Sequence, residues 1–287
     1  MSVEVQGKKP YIVTVFSTKG GVGKSTIAAI MAAMLGDLSQ RVLVIDADPQ
    51  GSLTKFFIDD TPTDGVADVL RRASNGGVLV PSDIVSSHFA GVDFVPSNLS
   101  ETTQEWIRTQ EAAGLLLRTA LDCETSKEYD FIIIDSQGSK GQLQRSAALA
   151  ADVILSPVPP DMINFSELLT GTLQQVRQLA VYTKFIPDLK PANLKVVINR
   201  MEQTIIAREV ANALAETLQG QDVELLGTQI DRATAFNVAM SSSKPLHASA
   251  PSSKSVVQML ALINELFPWV DTSALAPSNA ANAGAQE

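Results

Sequence analysis

The stretch that most constrains the fold runs from Tyr11 to Thr26, YIVTVFSTKGGVGKST. Its first six residues, Tyr11 to Phe16, are mostly β-branched or aromatic and predict a buried strand. Glycines follow at positions 20, 21 and 23, and the apolar run Ile27–Leu35 predicts a helix. A strand, a glycine loop and a helix in this order form an anion site, because backbone N–H groups turn inward beside the partial positive charge of a helix N-terminus. The stretch therefore predicts a site for polyphosphate.

The spacing of glycine and lysine in this loop is unusual. The common phosphate-binding pattern, G-x-x-x-x-G-K-[ST], requires glycine where this chain has Thr18. Residues 19–26 read KGGVGKST, which resembles the deviant Walker A motif, K-G-G-x-G-K-[ST]-[ST], of the ParA/MinD family of positioning ATPases. At average composition such a motif matches by chance on the order of once in 10⁴ chains of this length. The alternative interpretation is a glycine-rich turn without a ligand.

The resemblance implies a role for each residue of this loop, residues 18–26, which we call the P-loop. Lys24 would neutralise the β- and γ-phosphates of ATP, Ser25 would ligate Mg²⁺, and Thr26 would lie on the α-phosphate. The backbone of the phosphate cradle would come from Gly20, Gly21, Val22 and Gly23. Lys19 would reach the nucleotide of a partner subunit, the part that an arginine finger plays in GTPases.

A second candidate element follows the predicted strand Arg41–Ile45 and reads DADPQG from Asp46 to Gly51. Parallel strands deliver such groups to the ligand edge of an open α/β sheet. The run resembles the A′ motif of the same family, and the resemblance implies that Asp48 orients the attacking water while Asp46 lies in the outer shell of Mg²⁺. A strand cap and turn is the alternative interpretation.

A third element is the apolar run from Phe131 to Ile134, which ends at Asp135. It is typical of a Walker B strand, whose aspartate lies close to Mg²⁺ directly or through water. The next residues, Ser136-Gln137-Gly138, depart from the family, where threonine or cysteine and two prolines commonly follow. The departure predicts a more flexible γ-phosphate loop, or a contribution from the Gln137 side chain.

Two further sets of site residues come from the second half of the chain. The predicted strand Leu194–Ile198 ends at Asn199, where the family places a polar residue that hydrogen-bonds the adenine edge. Residues 176–260 hold nine Lys/Arg against seven Asp/Glu, although the whole chain carries −9. Either a solvated helical face or a DNA-binding patch explains this imbalance. The candidate DNA contacts are Arg200, Arg232 and Lys254.

Length and composition limit the classes of protein that remain. A chain of 287 residues with 45% hydrophobic residues can form one large α/β domain. The one cysteine permits no internal disulfide and no multi-cysteine metal site, which disfavours relatives of the nitrogenase iron protein and predicts a cytoplasmic protein. We expect no membrane anchor, since the last residues lack an apolar face with basic residues. We expect no operator-reading helix-turn-helix module in the ten residues before the first strand.

The predicted architecture is a single α/β domain, with a mostly parallel twisted sheet and helices on both faces. We place an N-terminal extension at residues 1–10, the ATPase domain at 11–268 and a disordered tail at 269–287. Helices are predicted over Ser100–Asp122 and Ser166–Tyr182. The run Val153–Val158 predicts a strand that ends near Ser156, because proline is awkward inside a central strand.

The sequence therefore predicts a ParA-like, Mg²⁺-dependent ATPase that forms a homodimer around ATP, is stimulated by a ParB-like or other adaptor protein, and binds DNA without sequence preference. Such a switch would partition plasmid or chromosomal DNA and would associate with the nucleoid. A second hypothesis is a ParA-like ATPase that positions a protein cargo or a secretion or conjugation machine without DNA binding. A third is a small-molecule ligase of the same P-loop branch, which Lys19 and the Asp-Pro-Gln-Gly run disfavour.

Overall fold

The computed structural model describes residues 9–59, 63–138, 141–186 and 189–276, and the predicted N-terminal extension and tail lie largely outside them. The described residues form one eight-stranded sheet. Its strands are β1 Tyr11–Val15, β2 Val42–Ala47, β3 Val85–Ser86, β4 Val92–Val95, β5 Phe131–Ser136, β6 Val153–Val158, β7 Asn193–Met201 and β8 Glu224–Asp231.

Helices connect most of these strands. They are α1 Lys24–Asp37, α2 Thr54–Phe57, α3 Val66–Ser74, α4 Glu101–Thr109, α5 Leu116–Leu121, α6 Glu124–Lys127, α7 Gln142–Ala150, α8 Met162–Glu167, α9 Gln174–Tyr182, α10 Ile205–Leu218, α11 Thr234–Ser242, α12 Leu246–Ser249 and α13 Lys254–Leu266. A π-helical segment, Leu168–Leu173, joins α8 to α9 without a break in the chain of helical turns.

The strand order is β3-β4-β2-β5-β1-β6-β7-β8, and every neighbouring pair is parallel except the edge pair β3 and β4. Because parallel strands share one direction, the carboxyl ends of β1, β2 and β5 meet at one edge of the sheet. The register places Asp46 of β2 beside Asp135 of β5, and Val15 of β1 beside the same aspartate. Asp46 and Asp135 are therefore neighbours by construction of the sheet.

The sheet is covered on both faces, which explains why its central strands read as continuous apolar runs. Phe131 and Ile133 of β5 face a core formed with α1, α11, α12 and α13, whereas Ile132 and Ile134 face a core formed with α3, α5 and α7. Helix α1 is apolar nearly all round and almost wholly buried between the sheet and the outer helices. The P-loop is thus anchored at both ends by largely buried elements, β1 and α1.

The predicted end of β6 near Ser156 is wrong, because the strand continues through Pro157 to Val158. Phe16 N–H donates to the Leu155 carbonyl, so Leu155 and Pro157, two residues apart, both face the β1 side. Pro157 has no N–H to donate on that side, and strand β1 ends at Val15, before the position that such an N–H would reach. Pairing with β7 runs on to Val158 and Ile198.

Three other expectations differ in detail. The helix predicted over Ser100–Asp122 is two helices, α4 and α5, separated by residues 110–115. The helix predicted from Ser166 begins earlier, at Met162, where Asp161 caps its first turn. The first part of the predicted tail, residues 269–276, packs on the domain: Val270 is buried, and the rings of Trp269 and Tyr11 lie 5.3 Å apart. The rest of the predicted tail, 277–287, lies outside the described residues.

Candidate functional site

The P-loop follows β1 and leads directly into α1. Gly21 and Gly23 have φ angles of 76° and 98°, which is the left-handed region that favours glycine. A Cβ atom on Gly23 would lie 2.3 Å from Nδ2 of Asn199, so the loop also needs glycine for space. Both constraints hold the backbone N–H groups in a turn at the start of α1, where an anion is favoured.

Gly23→Ala is therefore expected to destabilise the domain and to abolish tight nucleotide binding. Gly76→Ala provides a matched control, because Gly76 also has a positive φ of 78° but has no neighbouring atom within 4 Å of an added Cβ. We expect the control to lose only the backbone preference, about 1 kcal/mol of the free energy of unfolding, and to bind nucleotide normally. Equal losses of stability and of nucleotide affinity in the two variants, by urea unfolding and fluorescent-nucleotide titration, would contradict this interpretation.

The two lysines of the P-loop occupy opposite environments. Lys24 is 6% exposed, and its Nζ donates to the Lys19 carbonyl oxygen at 3.3 Å. Burial lowers the pKa of Lys24, and the nearby Asp135 and Asp48 carboxylates offset part of that shift. The Lys19 side chain is exposed and has no hydrogen-bond or ion-pair partner within the part of the chain that the structure describes. Lys24 thus lies inside the phosphate site of its own chain, whereas the Lys19 ammonium is accessible to a group outside that site.

Asp46 is fully buried and is held by its neighbours. Its Oδ2 accepts from the backbone N–H and the hydroxyl of Thr54, each at 2.9 Å, and its Oδ1 accepts from the Asp48 N–H at 3.2 Å. Burial raises the pKa of Asp46 to about 6, although the three hydrogen bonds work against that shift. Thr54 was not singled out by the sequence, since nothing local marks a threonine eight residues later as the partner of an aspartate.

Asp135 is also fully buried, but neither of its carboxylate oxygens has a hydrogen-bond partner of good geometry among the described residues. Burial and the adjacent Asp46 raise the pKa of Asp135 well above its usual range, while the nearby Ser25 hydroxyl and Lys24 lower it. An unpartnered buried carboxylate beside a hydroxyl is a fitting set of hard oxygen ligands for Mg²⁺. Ser25 and Asp135, with Asp46 behind them, are the residues that would hold such an ion.

In the protein without nucleotide or metal, Asp135→Asn is expected to raise the free energy of unfolding at neutral pH by about 1–3 kcal/mol, because the wild type must keep a buried acidic group protonated and the neutral amide carries no such cost. The raised pKa of Asp135 means that the folded state holds a proton that the unfolded state has lost. Stability therefore falls as pH rises above the ordinary aspartate range of about 4. The gain from the substitution should grow over the same window and level off above the folded pKa.

Chemical unfolding at about pH 4.5 and about pH 7.5 measures this difference. Asp59→Asn is the control, since Asp59 is an exposed aspartate and this substitution is expected to leave stability unchanged. If Asp135→Asn is less stable than the wild type at the higher pH, Asp135 is not a protonated, destabilising group in the folded protein.

Asp48 is half-buried in the turn that follows β2. Its Oδ1 accepts from the Gln50 N–H at 3.0 Å, and its carbonyl oxygen accepts from the Ser97 hydroxyl and the Gly51 N–H. The turn fixes the backbone of Asp48, and the side chain lines a cavity of about 860 Å³ together with Lys24 and Ser25. A carboxylate held at the wall of this cavity can accept a proton or a hydrogen bond from a guest molecule.

A second cavity, of about 730 Å³, also borders the P-loop and is lined by Lys19, Thr26 and Asn199. Asn199 is buried and donates from Nδ2 to the Val22 carbonyl oxygen at 2.7 Å. That hydrogen bond braces the P-loop, and a role of Asn199 toward adenine stays a prediction.

The three predicted DNA contacts lie in different surroundings. Arg200 has a φ of 57°, which is uncommon for a residue other than glycine, and it lines both cavities beside the P-loop. Arg232 pairs with Glu202 at 2.7 Å, and Lys254 pairs with Asp231 at 2.5 Å. Two of the three cations are thus matched by carboxylates, and the third borders the candidate nucleotide site.

Comparison with known proteins decides the family. Residues 10–187 match the family model described as an AAA domain. Cell division protein PomZ of Myxococcus xanthus is 31% identical over 259 residues, which span 87% of this chain and 76% of PomZ. The chain belongs to the ParA/MinD family of ATPases. Chromosome partitioning protein ParA of the same organism is 28% identical over 89% of this ParA/MinD-family chain and 87% of its own length.

Solved structures agree with this assignment at the level of fold. The complex of a single-residue variant of McdA with ATP, from Cyanothece, superposes with a TM-score of 0.76 at 21% identity, covering 91% of this chain and 97% of McdA. The predicted family and the predicted α/β fold with a mostly parallel sheet are both confirmed. No helix within the described ranges combines the length and hydrophobicity needed to cross a bilayer.

Proposed function

We propose that this ParA/MinD-family protein is a molecular switch that binds ATP and Mg²⁺, forms a homodimer around the nucleotides, and leaves that state by hydrolysing ATP. The single observation that carries the proposal is the contrast within one loop between Lys24, buried beside Asp135, and Lys19, exposed without a partner among the described residues. Lys24 is placed to contact the triphosphate bound by its own protomer, and Lys19 is free to contact a triphosphate bound by a second copy.

The residues around the P-loop would divide the work of phosphoryl transfer, which depends mainly on positioning and charge. Lys24 offsets the charge of the β- and γ-phosphates, and the turn of Gly20 to Gly23 presents N–H groups to them. Mg²⁺, held by Ser25 and Asp135, would add positive charge where negative charge develops. Asp48 orients the attacking water, because it is the carboxylate fixed at the wall of the 860 Å³ cavity.

The surface around Lys19 supports assembly of two copies. Lys19, Gly20, Asp161 and Ile206 border the same 730 Å³ cavity, and Ile206 is 71% exposed. Three neighbouring apolar side chains are also largely exposed: Ile205 at the start of α10, and Met162 and Ile163 at the start of α8. Helices α8 and α10 contact each other. A patch of exposed apolar side chains around a cation that has no partner among the described residues indicates an interaction surface. A second copy would cover the patch and complete the site with its own Lys19.

For the output of the switch, we propose non-specific DNA binding by the ATP-bound dimer, with partition of plasmid or chromosomal DNA on the nucleoid and stimulation by a ParB-like adaptor. Arg200, Arg232 and Lys254 are the candidate contacts. The alternative is positioning of a protein cargo without DNA, and the ion pairs Arg232–Glu202 and Lys254–Asp231 favour it, since they reduce the positive potential of the patch. Exposed ion pairs are weak, so a DNA phosphate could displace either carboxylate, and the pairs do not exclude DNA binding.

A filter-binding assay with a long DNA duplex, Mg²⁺ and ATP across a salt series tests the output. DNA binding requires retention that depends on ATP and falls steeply with salt. Arg232→Ala should weaken it and reduce the salt slope by about one. Arg41→Ala is the matched control. Arg41 is an exposed arginine that pairs with Glu128, but it lies just before β2, at the amino ends of the strands, whereas Arg232 follows the carboxyl end of β8. ATP hydrolysis without any retained DNA would favour a protein cargo.

A further inference from the structure

The segment Ser136-Gln137-Gly138, which ends β5 and begins the loop after it, lies directly against the P-loop. A Cβ atom on Gly138 would lie 3.0 Å from Cα of Gly20, 3.1 Å from its N and 3.1 Å from Nζ of Lys24. Gly138 therefore touches the groups that would surround the terminal phosphates. The position of this loop should affect hydrolysis, although the loop contains no proline to fix its backbone.

A single buried side chain ties this loop to the start of the P-loop. Gln144, on the first turn of α7, is 0% exposed, and its Nε2 donates to the Gln137 carbonyl oxygen and to the Ser17 carbonyl oxygen, both at 3.1 Å. Ser17 immediately precedes the P-loop, and Gln137 follows Asp135 by two residues. One amide group thus bridges the two loops that enclose the phosphate site.

The orientation of this amide is fixed by its surroundings. Two carbonyl oxygens on one side require the amide nitrogen there, because a carbonyl can only accept. The Gln144 Oε1 then faces α9, where it accepts from Nε2 of Gln175 at 3.1 Å. Gln175 is itself 5% exposed, and its own Oε1 has no partner of good geometry among the described residues. A flipped Gln144 amide would leave both loop carbonyls facing an acceptor, so the observed arrangement is strongly preferred.

We propose that Gln144 is a positioning residue for ATP hydrolysis, and the proposal rests on the ATPase activity proposed above. It holds the Gln137-Gly138 backbone at a fixed distance from the P-loop, so that Asp135 and Lys24 keep their places beside the transferred phosphate. Where two prolines would stiffen this loop by their rings, this chain uses two hydrogen bonds from a buried amide. Gln175 keeps that amide in the orientation that both loops require.

Gln144→Met tests the proposal, because methionine keeps the length and most of the volume of the side chain but cannot donate. We expect kcat for ATP hydrolysis to fall about tenfold or more, as loosened catalytic groups lose transition-state contacts, with KM for ATP changed less than about threefold. In the protein without nucleotide, hydrogen exchange in peptides that contain Gln137 and Gly138 should become faster.

Thr14→Val is the matched control. Thr14 is buried in β1 and donates to the Ala147 carbonyl oxygen of the same helix α7 at 2.7 Å, but its side chain has no hydrogen bond to either loop. This variant should lose a comparable buried hydrogen bond and some stability, but kcat and the hydrogen exchange of the loop should stay at the wild-type values.

A milder variant, Gln175→Met, leaves Gln144 in place and removes only its orienting partner. It should shift kcat and loop exchange in the same direction as Gln144→Met, by a smaller factor.

Two results would overturn the assignment: loop exchange in Gln144→Met no faster than in Thr14→Val, or a kcat within about twofold of that control. If Gln144→Met does not fold, unchanged kcat and exchange in Gln175→Met would have the same force. The exchange measurement needs no nucleotide, so it separates this proposal from the proposed function. A wild type without ATPase activity would refute the latter, while exchange would still decide whether Gln144 holds the loop.

Discussion

Lys19→Ala is expected to reduce ATP hydrolysis by about 10³-fold or more, the range that a cation supplied by a partner contributes in related phosphoryl transfer. The affinity of the single protomer for ATP should change by no more than about threefold, because Lys24, not Lys19, lies buried in the protomer's own site. The loss should thus appear in kcat and in dimer formation, and not in nucleotide binding. Steady-state hydrolysis together with fluorescent-nucleotide titration separates these quantities.

Lys184→Ala is the control for this variant. Lys184 is also an exposed lysine, in the turn after α9, and borders neither cavity beside the P-loop, so the same change of charge should leave hydrolysis intact. Hydrolysis by Lys19→Ala at the wild-type rate would remove Lys19 from the mechanism. A loss of ATP affinity equal to the loss of rate would place Lys19 in its own protomer's site.

Asp48→Ala is expected to lower kcat by about 10²–10⁴, the usual contribution of a positioned acid or base. Asp48 is the carboxylate at the cavity wall whose carbonyl and N–H are fixed by Ser97, Gly51 and Asp46. Removing its side chain takes away the acceptor for the attacking water but leaves the phosphate cradle intact. ATP should therefore remain bound, and the ATP-bound dimer should persist for longer than in the wild type.

Single-turnover hydrolysis measures this effect without interference from product release. Asp48→Asn belongs beside the alanine variant, since asparagine retains an oxygen that can accept from the Gln50 N–H but carries no charge. Asp59→Ala, a change at an exposed carboxylate later in the same connection, should hydrolyse ATP normally. Wild-type turnover in either Asp48 variant would exclude Asp48 as the residue that activates water.

The fold, and the meeting of the three motifs at one edge of the sheet, could be predicted because each motif depends on a short stretch of chain. Lys24, Asp46 and Asp135 each stand at the end of an apolar strand or at the start of the helix after it, and a parallel sheet must bring such ends together. The family resemblance covered the same residues. The position of Asp48 at this edge could be predicted in the same way, because it follows the last residue of β2.

The remaining differences depend on contacts between distant parts of the chain. Pro157 is tolerated because β1 ends before it, which no local pattern reveals. Asn199 donates to a carbonyl far away in sequence, and Arg232 meets Glu202 across a strand and a helix. Gln144 lies in a helix of small residues where a buried glutamine carries no recognisable signal. Such roles become visible only when side-chain partners are known.

The most direct test of the account is the mass of the protein in solution, measured by light scattering with Mg²⁺ and a non-hydrolysable ATP analogue. We expect the 30.6 kDa chain to shift to twice that mass when the analogue is added, and Lys19→Ala to keep the mass of one chain. A wild type that binds the analogue and keeps the mass of one chain would contradict the claim that two copies close around the nucleotides.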